Sequence, residues 1–199
     1  MTPPDLNLSL DLVLHPVTPD RWPDLERLFG PRGAYSGCWC MFWRLRRSEF
    51  DRSSSDERRA GLKGLVDSGQ IPGILAYAGD EPIAWVSLGQ RETFPPLERS
   101  RTLVRVDQQP VWSIVCFFVA KPYRRQGLLV KLLRGAVAYA ASQGAQIIEG
   151  YPVDPPAGQH ISGGAEGYMG LASAYSNAGF MEVARPSERR AIMRYTCQA

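Results

Sequence analysis

The chain has 199 residues, enough for one domain with a sizeable core or one domain plus an insertion. Apolar residues make up 44% and charged residues 22%, as in an ordinary globular protein. The 23 basic and 20 acidic side chains leave a net charge of +3, too small and too dispersed for a nucleic-acid binder. No run approaches the ~20 apolar residues of a membrane helix. Residues 1–15 have no basic n-region, and Asp5 and Asp11 interrupt their apolar run, so a secretion signal is not expected. Four cysteines without a repeated spacing do not suggest a disulfide framework. The expectation is a cytoplasmic, reduced protein, one domain over 1–199, with no membrane or nucleic-acid partner.

In chain order, a Pro-rich leader precedes a first strand over residues 8–17, which His15 nearly closes in a surface or packing role. Thr18-Pro19 then supplies a cap and a first-turn proline. Trp22, Leu25 and Phe29 share the face of a short helix ended by Gly30. Residues 33–47, GAYSGCWCMFWRLRR, concentrate Tyr35, Trp39, Phe42 and Trp43 around two cysteines. Such a segment reads either as a hydrophobic flap under a sheet or as an aromatic wall for a small ligand, since large rings bury much area. Cys38-x-Cys40 invites a zinc or redox reading, but zinc wants four ligands and only Cys116, Cys197 and two scattered histidines remain. No metal is expected.

Ser54-x-x-Glu57 is a capping box opening a second helix that runs to about Ser68. Residues 74–77 and 83–88 form a hairpin around Gly79-Asp80-Glu81-Pro82, and residues 93–110, with their prolines, read as a loop with at most a helical turn. Residues 111–119 are apolar except Ser113 and form a buried strand ending at Lys121-Pro122. From Gly127 the spacing of Leu129, Leu132, Leu133, Ala136, Val137 and Ala140 marks an amphipathic helix closed by Gly144. Residues 146–151 make a strand parallel to the previous one if the helix is a crossover. Residues 152–167 are too rich in Pro and Gly for a regular element and read as an inserted loop. Tyr168, Leu171, Ala172 and Tyr175 share a helical face ended by Gly179-Phe180, and residues 181–184 and 191–195 close the chain as a hairpin.

Between strand and helix, Tyr123-Arg124-Arg125-Gln126-Gly127 places free helix-start N–H groups beside two arginines. Unpaired donors and the positive end of the helix dipole make an anion site there. No Asp or Glu lies between Asp107 and Glu149, whereas Lys121, Arg124, Arg125, Lys131 and Arg134 all fall in that window, so the expected anion is a phosphate.

Strand, Val119-x-x-x-x-Arg124-Arg125-Gln126-Gly127-Leu128 and helix together resemble the coenzyme A signature of the GCN5-related N-acetyltransferase (GNAT) superfamily, Arg/Gln-x-x-Gly-x-Gly/Ala. Arg124 and Gly127 match; Leu129 departs at the third, small position. Tyr175-Ser-Asn-Ala-Gly179-Phe180 matches the family's Tyr-x-x-x-Gly-Phe, while Tyr168 stands where the family often has a cofactor-touching asparagine. The element order β-α-α-β-β-β-α-β-α-β-β is also the family's, so the resemblance implies an α/β (α+β) fold with a mixed, partly parallel sheet flanked by helices.

The resemblance further implies an N-acyltransferase that moves acetyl from acetyl-coenzyme A to the primary amine of a small molecule or peptide by direct attack in a ternary complex. Cofactor contacts fall on Phe117, Phe118 and Val119 at the strand end, and on Arg124, Arg125, Gln126, Gly127, Leu128, Leu129 and Val130 at the helix start. Tyr35, Trp39, Phe42 and Trp43 are the acceptor-side candidates. A neutral amine must attack, the oxyanion needs a donor such as strand N–H near Phe118 and Val119, and the leaving thiolate needs a proton. Tyr175 is the candidate acid and Glu149 the candidate base, with Glu92, Asp154 and His160 as its rivals. The protein is expected as a monomer or homodimer. Two other classes stay open: a silent coenzyme A-binding sensor or interaction module, and thiol redox or metal chemistry at Cys38 and Cys40.

Overall fold

The protein is seen in a computed structural model that describes residues 11–155 and 165–197. A seven-stranded sheet in the order β1-β2-β3-β4-β5-β7-β6 forms its frame. The strands are β1 (Leu12–Pro16), β2 (Gly73–Ala78), β3 (Glu81–Gln90), β4 (Trp112–Val119), β5 (Ile147–Gly150), β6 (Met181–Ser187) and β7 (Arg190–Thr196). All neighbours pair antiparallel except β4 and β5, which are parallel. The helices are α1 (Trp22–Phe29), α2 (Arg47–Arg52), α3 (Ser55–Asp67), α4 (Pro95–Glu98), α5 (Leu128–Ser142) and α6 (Ala172–Ala178). The mixed α/β fold is the expected one, with α2 and α4 as short additions.

Local chemistry accounts for most of these boundaries. The Ser54 box closes reciprocally: the Glu57 N–H donates to Ser54 Oγ at 3.2 Å, and the Ser54 N–H donates to Glu57 Oε2 at 2.7 Å. Helix α5 is the crossover that makes β4 and β5 parallel. Its Leu132, Leu133, Ala136 and Ala140 face Val86, Ile114 and Ile148 on one side of the sheet, with α6 beside them. On the other side α1, α3 and residues 34–45 cover Leu75, Tyr77 and Trp85. A third cluster under α4 gathers Phe94, Leu97, Val115, Tyr151, Met169 and Ile192.

Two expectations need correction. Tyr168 and Leu171 do not share a helix with Tyr175, because α6 begins only at Ala172 and Tyr168 belongs to a separate 3-10 turn, Ala165–Met169. Gly170, at φ 84°, breaks the path between the two. The expected loop over 152–167 is also not wholly irregular, since Val153 bridges both Leu171 and Arg190. Residues 156–164 of that loop, His160 among them, and residues 1–10 lie outside the described residues.

Candidate active site

Strands β4 and β5 part company halfway along β4. Their pairing stops at Ile114↔Gly150, while β4 continues through Val119. The register against β3 slips between Ser87 and Leu88, leaving Val115 as an extra residue on β4. Such a bulge bends a strand and re-aims its side chains. Beyond it Cys116 and Phe118 face the α1/α3 side of the sheet, and Phe117 and Val119 face α5.

Tyr175 fills the crotch between the two strands. A β-carbon at Gly150 would lie 2.0 Å from Tyr175 Cε1 and 2.5 Å from its Oη, so only glycine at the last paired residue of β5 admits the ring. Phe180 packs edge-on at 5.0 Å and Phe117 at 6.3 Å. Gly179, at φ 99°, closes α6 and turns Phe180 back under the tyrosine. The side chain is fully buried, and its hydroxyl has no hydrogen-bond partner among the described residues. Leaving such a group unpaired costs about 1–3 kcal/mol. Burial, reinforced by Tyr151 and Cys116 nearby, pushes the phenol well above the ordinary tyrosine range. At neutral pH it is a proton donor with nothing to donate to.

The loop from β4 to α5 is built for an anion. Arg125 and Gly127 both take left-handed backbone, at φ 63° and 69°. No side chain caps α5, and its first turn holds no acid. A β-carbon at Gly127 would meet nothing within 4 Å, so the space over the helix start is open. Arg124 does not reach across it: its Nε donates to Val119 O at 2.7 Å and its guanidinium lies over the Phe118 ring. Gln126 donates to Pro122 O at 2.9 Å, while its own carbonyl oxygen is buried without a partner. The pyrophosphate of a coenzyme A fits this donor set, and the orphaned Tyr175 hydroxyl fits a sulfur at the crotch. Leu128 is buried beneath the loop, whereas Leu129 and Val130 only partly line the core. Leu129 Cδ2 comes within 3.1 Å of where a β-carbon on Gly170 would stand, so the larger residue here is accommodated by that glycine.

Residues 34–40 wind through left-handed backbone at Ala34, Ser36, Trp39 and Cys40. Each such residue stores of order 1–3 kcal/mol, and packing must hold it. Trp39 supplies that packing. It stacks on Trp22 at 6.1 Å, touches Phe29 at 5.5 Å and donates to Ser55 Oγ at 3.2 Å. With 5% of its surface exposed it is core, so the expectation of an acceptor-side role for Trp39 is corrected. Tyr35, Phe42 and Trp43 instead line a cavity of about 220 Å³. Cys116 and Phe118 of β4 form its floor, and Tyr168 closes one side with its ring 5.2 Å from Tyr35. Within this segment Trp39 is thus core, while its aromatic neighbours border the cavity.

Cys38 and Cys40 also border this cavity. Cys40 Sγ accepts from Trp85 Nε1 at 3.0 Å. A hydrogen bond with Cys40, then burial, hold the Cys38 thiol well above the usual thiol range, and contact with Cys116 does the same for Cys40. Protonated, buried thiols are poor nucleophiles and poor metal ligands.

Glu149 is only 1% exposed and is fully engaged. Its Oε1 accepts from Arg194 Nε at 2.7 Å; its Oε2 accepts from Tyr151 at 3.0 Å and lies 3.4 Å from Arg91 Nη1. Tyr151 spends its one proton on Glu149, so Ser113, 2.7 Å away, must donate to Tyr151. Arg91, itself 1% exposed, also binds Glu98 and the carbonyls of Leu97 and Leu103, and Arg194 clamps Asp107. A buried carboxylate held by two guanidinium groups and a phenol is closed to an outside proton donor, which does not suit the base expected at Glu149. Of its rivals, the two among the described residues are paired as well: Glu92 with Arg105 and Asp154 with Arg185. His15 sits on β1 against Tyr77, away from the crotch. No local pattern announced the Arg91–Tyr151–Ser113 assembly, because its members come from three separate segments.

A family model described as "Acetyltransferase (GNAT) family" matches residues 37–156. No curated protein matches the sequence. Among solved structures, the chain is similar to an acetyltransferase from Thermus thermophilus, at 16% identity over 94% of this chain and 98% of that one, with a TM-score of 0.50. It is similar to AAC(6')-Ib in complex with paromomycin and acetyl-CoA, at 16% identity, 94% and 93% coverage and a TM-score of 0.55. An N-acetyltransferase from Staphylococcus aureus aligns at 9% identity, 94% and 98% coverage and a TM-score of 0.52. At these identities the likeness is one of fold. Among the described residues no helix is long and apolar enough to cross a membrane.

Proposed function

The chain belongs to the acetyltransferase (GNAT) family, and from that premise we propose that it is an N-acetyltransferase using acetyl-coenzyme A and a primary amine. The observation that carries this reading is the Tyr175 hydroxyl, buried without a partner where β4 and β5 separate. AAC(6')-Ib, of the same fold, is solved with acetyl-CoA, which supports the same cofactor here. When bound, that cofactor supplies an acyl group as a thioester.

The roles of the chain's own residues follow from their places. Amides of residues 127–130 and the dipole of α5 bind the pyrophosphate, with Arg125 beside them. Backbone N–H groups near Phe118 and Val119, where β4 has lost β5 as a neighbour but stays paired with β3, would stabilise charge developing on the acyl oxygen. Tyr175 keeps its proton until a thiolate departs and then gives it up, a transfer contributing ~10²–10⁴-fold. Glu149 holds β4, β5 and β7 together and takes no proton from substrate. Tyr35, Phe42 and Trp43 shape the acceptor side.

The departures at Leu129 and Tyr168 favour a second reading, a coenzyme A-binding module without turnover. Two measurements sort these. Acetyl-coenzyme A at a hundredfold excess over its dissociation constant should stabilise the fold by about 2.7 kcal/mol, and free thiol should then appear with amine acceptors. Stabilisation without thiol release leaves the binding module; a melting curve indifferent to millimolar acetyl-coenzyme A removes both.

A further inference from the structure

The cavity beside β4 differs from what a charged acceptor would need. Its walls among the described residues are rings, thiols and small side chains, and they include no carboxylate and no imidazole. Three of its rings carry guanidinium groups: Arg47 over Phe42 at 5.5 Å, Arg58 over Phe50 at 4.1 Å and Arg124 over Phe118 at 5.7 Å. Arg47 is partnered by Asp51, outside the cavity. An aromatic face attracts one cation well, and here those faces are already turned to arginines. A polycationic guest would find no counter-charge among the described residues of the lining. Glu149, a buried carboxylate of the sheet, is paired with Arg91 and Arg194.

We propose, resting on the acetyltransferase reading above, that the acceptor is a compact apolar amine whose nitrogen is already neutral at neutral pH, as in an aromatic amine. The apolar lining selects the body of the molecule. About 220 Å³ is below the ~300–1,000 Å³ of ordinary ligand sites, which selects for small size. Among the described residues no carboxylate or imidazole borders the cavity to take a proton, and that selects the nitrogen. An alkylammonium with a lysine-like pKa of ~10.4 is neutral in only about one molecule in 2,500 at pH 7. An aromatic amine is neutral there and can attack without prior help. The transfer forms one N–C bond and breaks one C–S bond. The nitrogen, made strongly acidic by attack, yields its proton to water. Tyr175 protonates the departing sulfur and is reprotonated from solvent, so no further reactant enters.

The test compares thiol release with aniline, phenethylamine and spermidine at saturating acetyl-coenzyme A between pH 6 and 8. Aniline should give the highest kcat/KM with a flat pH profile, whereas phenethylamine should rise about tenfold per pH unit as its neutral fraction grows. Cys38→Phe, which fills the cavity, should raise KM for aniline about tenfold or more. Its acetyl-coenzyme A melting shift should stay intact. Tyr35→Ala, which opens a wall at a residue 41% exposed, should raise KM in the same way and covers the case in which Cys38→Phe fails to fold. Spermidine as the best acceptor overturns the proposal, as do cavity variants with unchanged aniline kinetics. Cofactor-dependent stabilisation without aniline turnover sinks this inference and leaves cofactor binding standing. The loss of cofactor stabilisation in the parent protein takes the acetyltransferase reading down with it.

Discussion

Glu149 and Tyr175 lie on either side of Gly150, and they are opposites. Glu149 is buried with both oxygens engaged by two arginines and a tyrosine. Tyr175 is buried with its hydroxyl engaged by none of the described residues. Burying a polar group is tolerable when it is paired, and an unpaired one persists only if something else over-determines it. Here Gly150, Phe117 and Phe180 hold the Tyr175 ring regardless of what its hydroxyl does. The difference separates a group that maintains the sheet from a group kept ready for a partner.

The largest way to break this comparison is Glu149→Ala. Breaking a buried ion pair typically costs about 3–5 kcal/mol, and because Arg91 keeps Glu98 and Arg194 keeps Asp107, the loss here should fall toward the lower end. For a chain of this size each kcal/mol lowers the melting temperature by roughly 2–4 °C. The expected outcome is a strongly destabilised protein whose folded fraction, assayed at low temperature, still turns over. A variant that melts like the parent and has lost its rate would return Glu149 to the role of base.

The next effect tests the anion loop. Gly127→Glu places a carboxylate over the start of α5, where the dipole ordinarily welcomes it. Because Gly127 sits at φ 69°, any side chain there adds about 1 kcal/mol of backbone strain, so the apo protein should fold with a modest loss. The open space over Gly127 lets the carboxylate occupy the phosphate position itself. The stabilisation by acetyl-coenzyme A, about 2.7 kcal/mol at hundredfold excess, should vanish from the melting curve. A full shift in the variant would place the pyrophosphate elsewhere.

How much of this is legible in the sequence follows from the range of the interactions. The start of α5, the capping box of α3 and the Tyr175–Gly179–Phe180 turn are written in neighbouring residues, and the structure places each where local chemistry puts it. Trp39 escapes a sequence reading because an aromatic run looks alike whether it faces a cavity or a core. Left-handed backbone at Trp39 and Cys40, which no periodicity reveals, decides which ring turns inward. Glu149 escapes it for a complementary reason. Its partners Arg91 and Arg194 lie 58 and 45 residues away in sequence, and only the sheet register brings Arg194 opposite it.

The smallest expected change in stability is at Tyr175, and that smallness is the informative part. Tyr175→Phe keeps the ring that Gly150 admits and Phe180 supports, so packing is conserved. It removes a hydroxyl that bears a desolvation cost without a hydrogen bond, so melting should hold or rise slightly. Cofactor affinity should stay close to the parent's, because the anion loop is untouched. Turnover should fall ~10²-fold or more if this hydroxyl protonates the leaving thiolate. The rate loss should ease for a thioester whose thiol has a lower pKa, since a better leaving group needs the proton less. A variant that loses several degrees of melting temperature and keeps its rate would mean that the hydroxyl is part of the scaffold, and the contrast with Glu149 would then disappear.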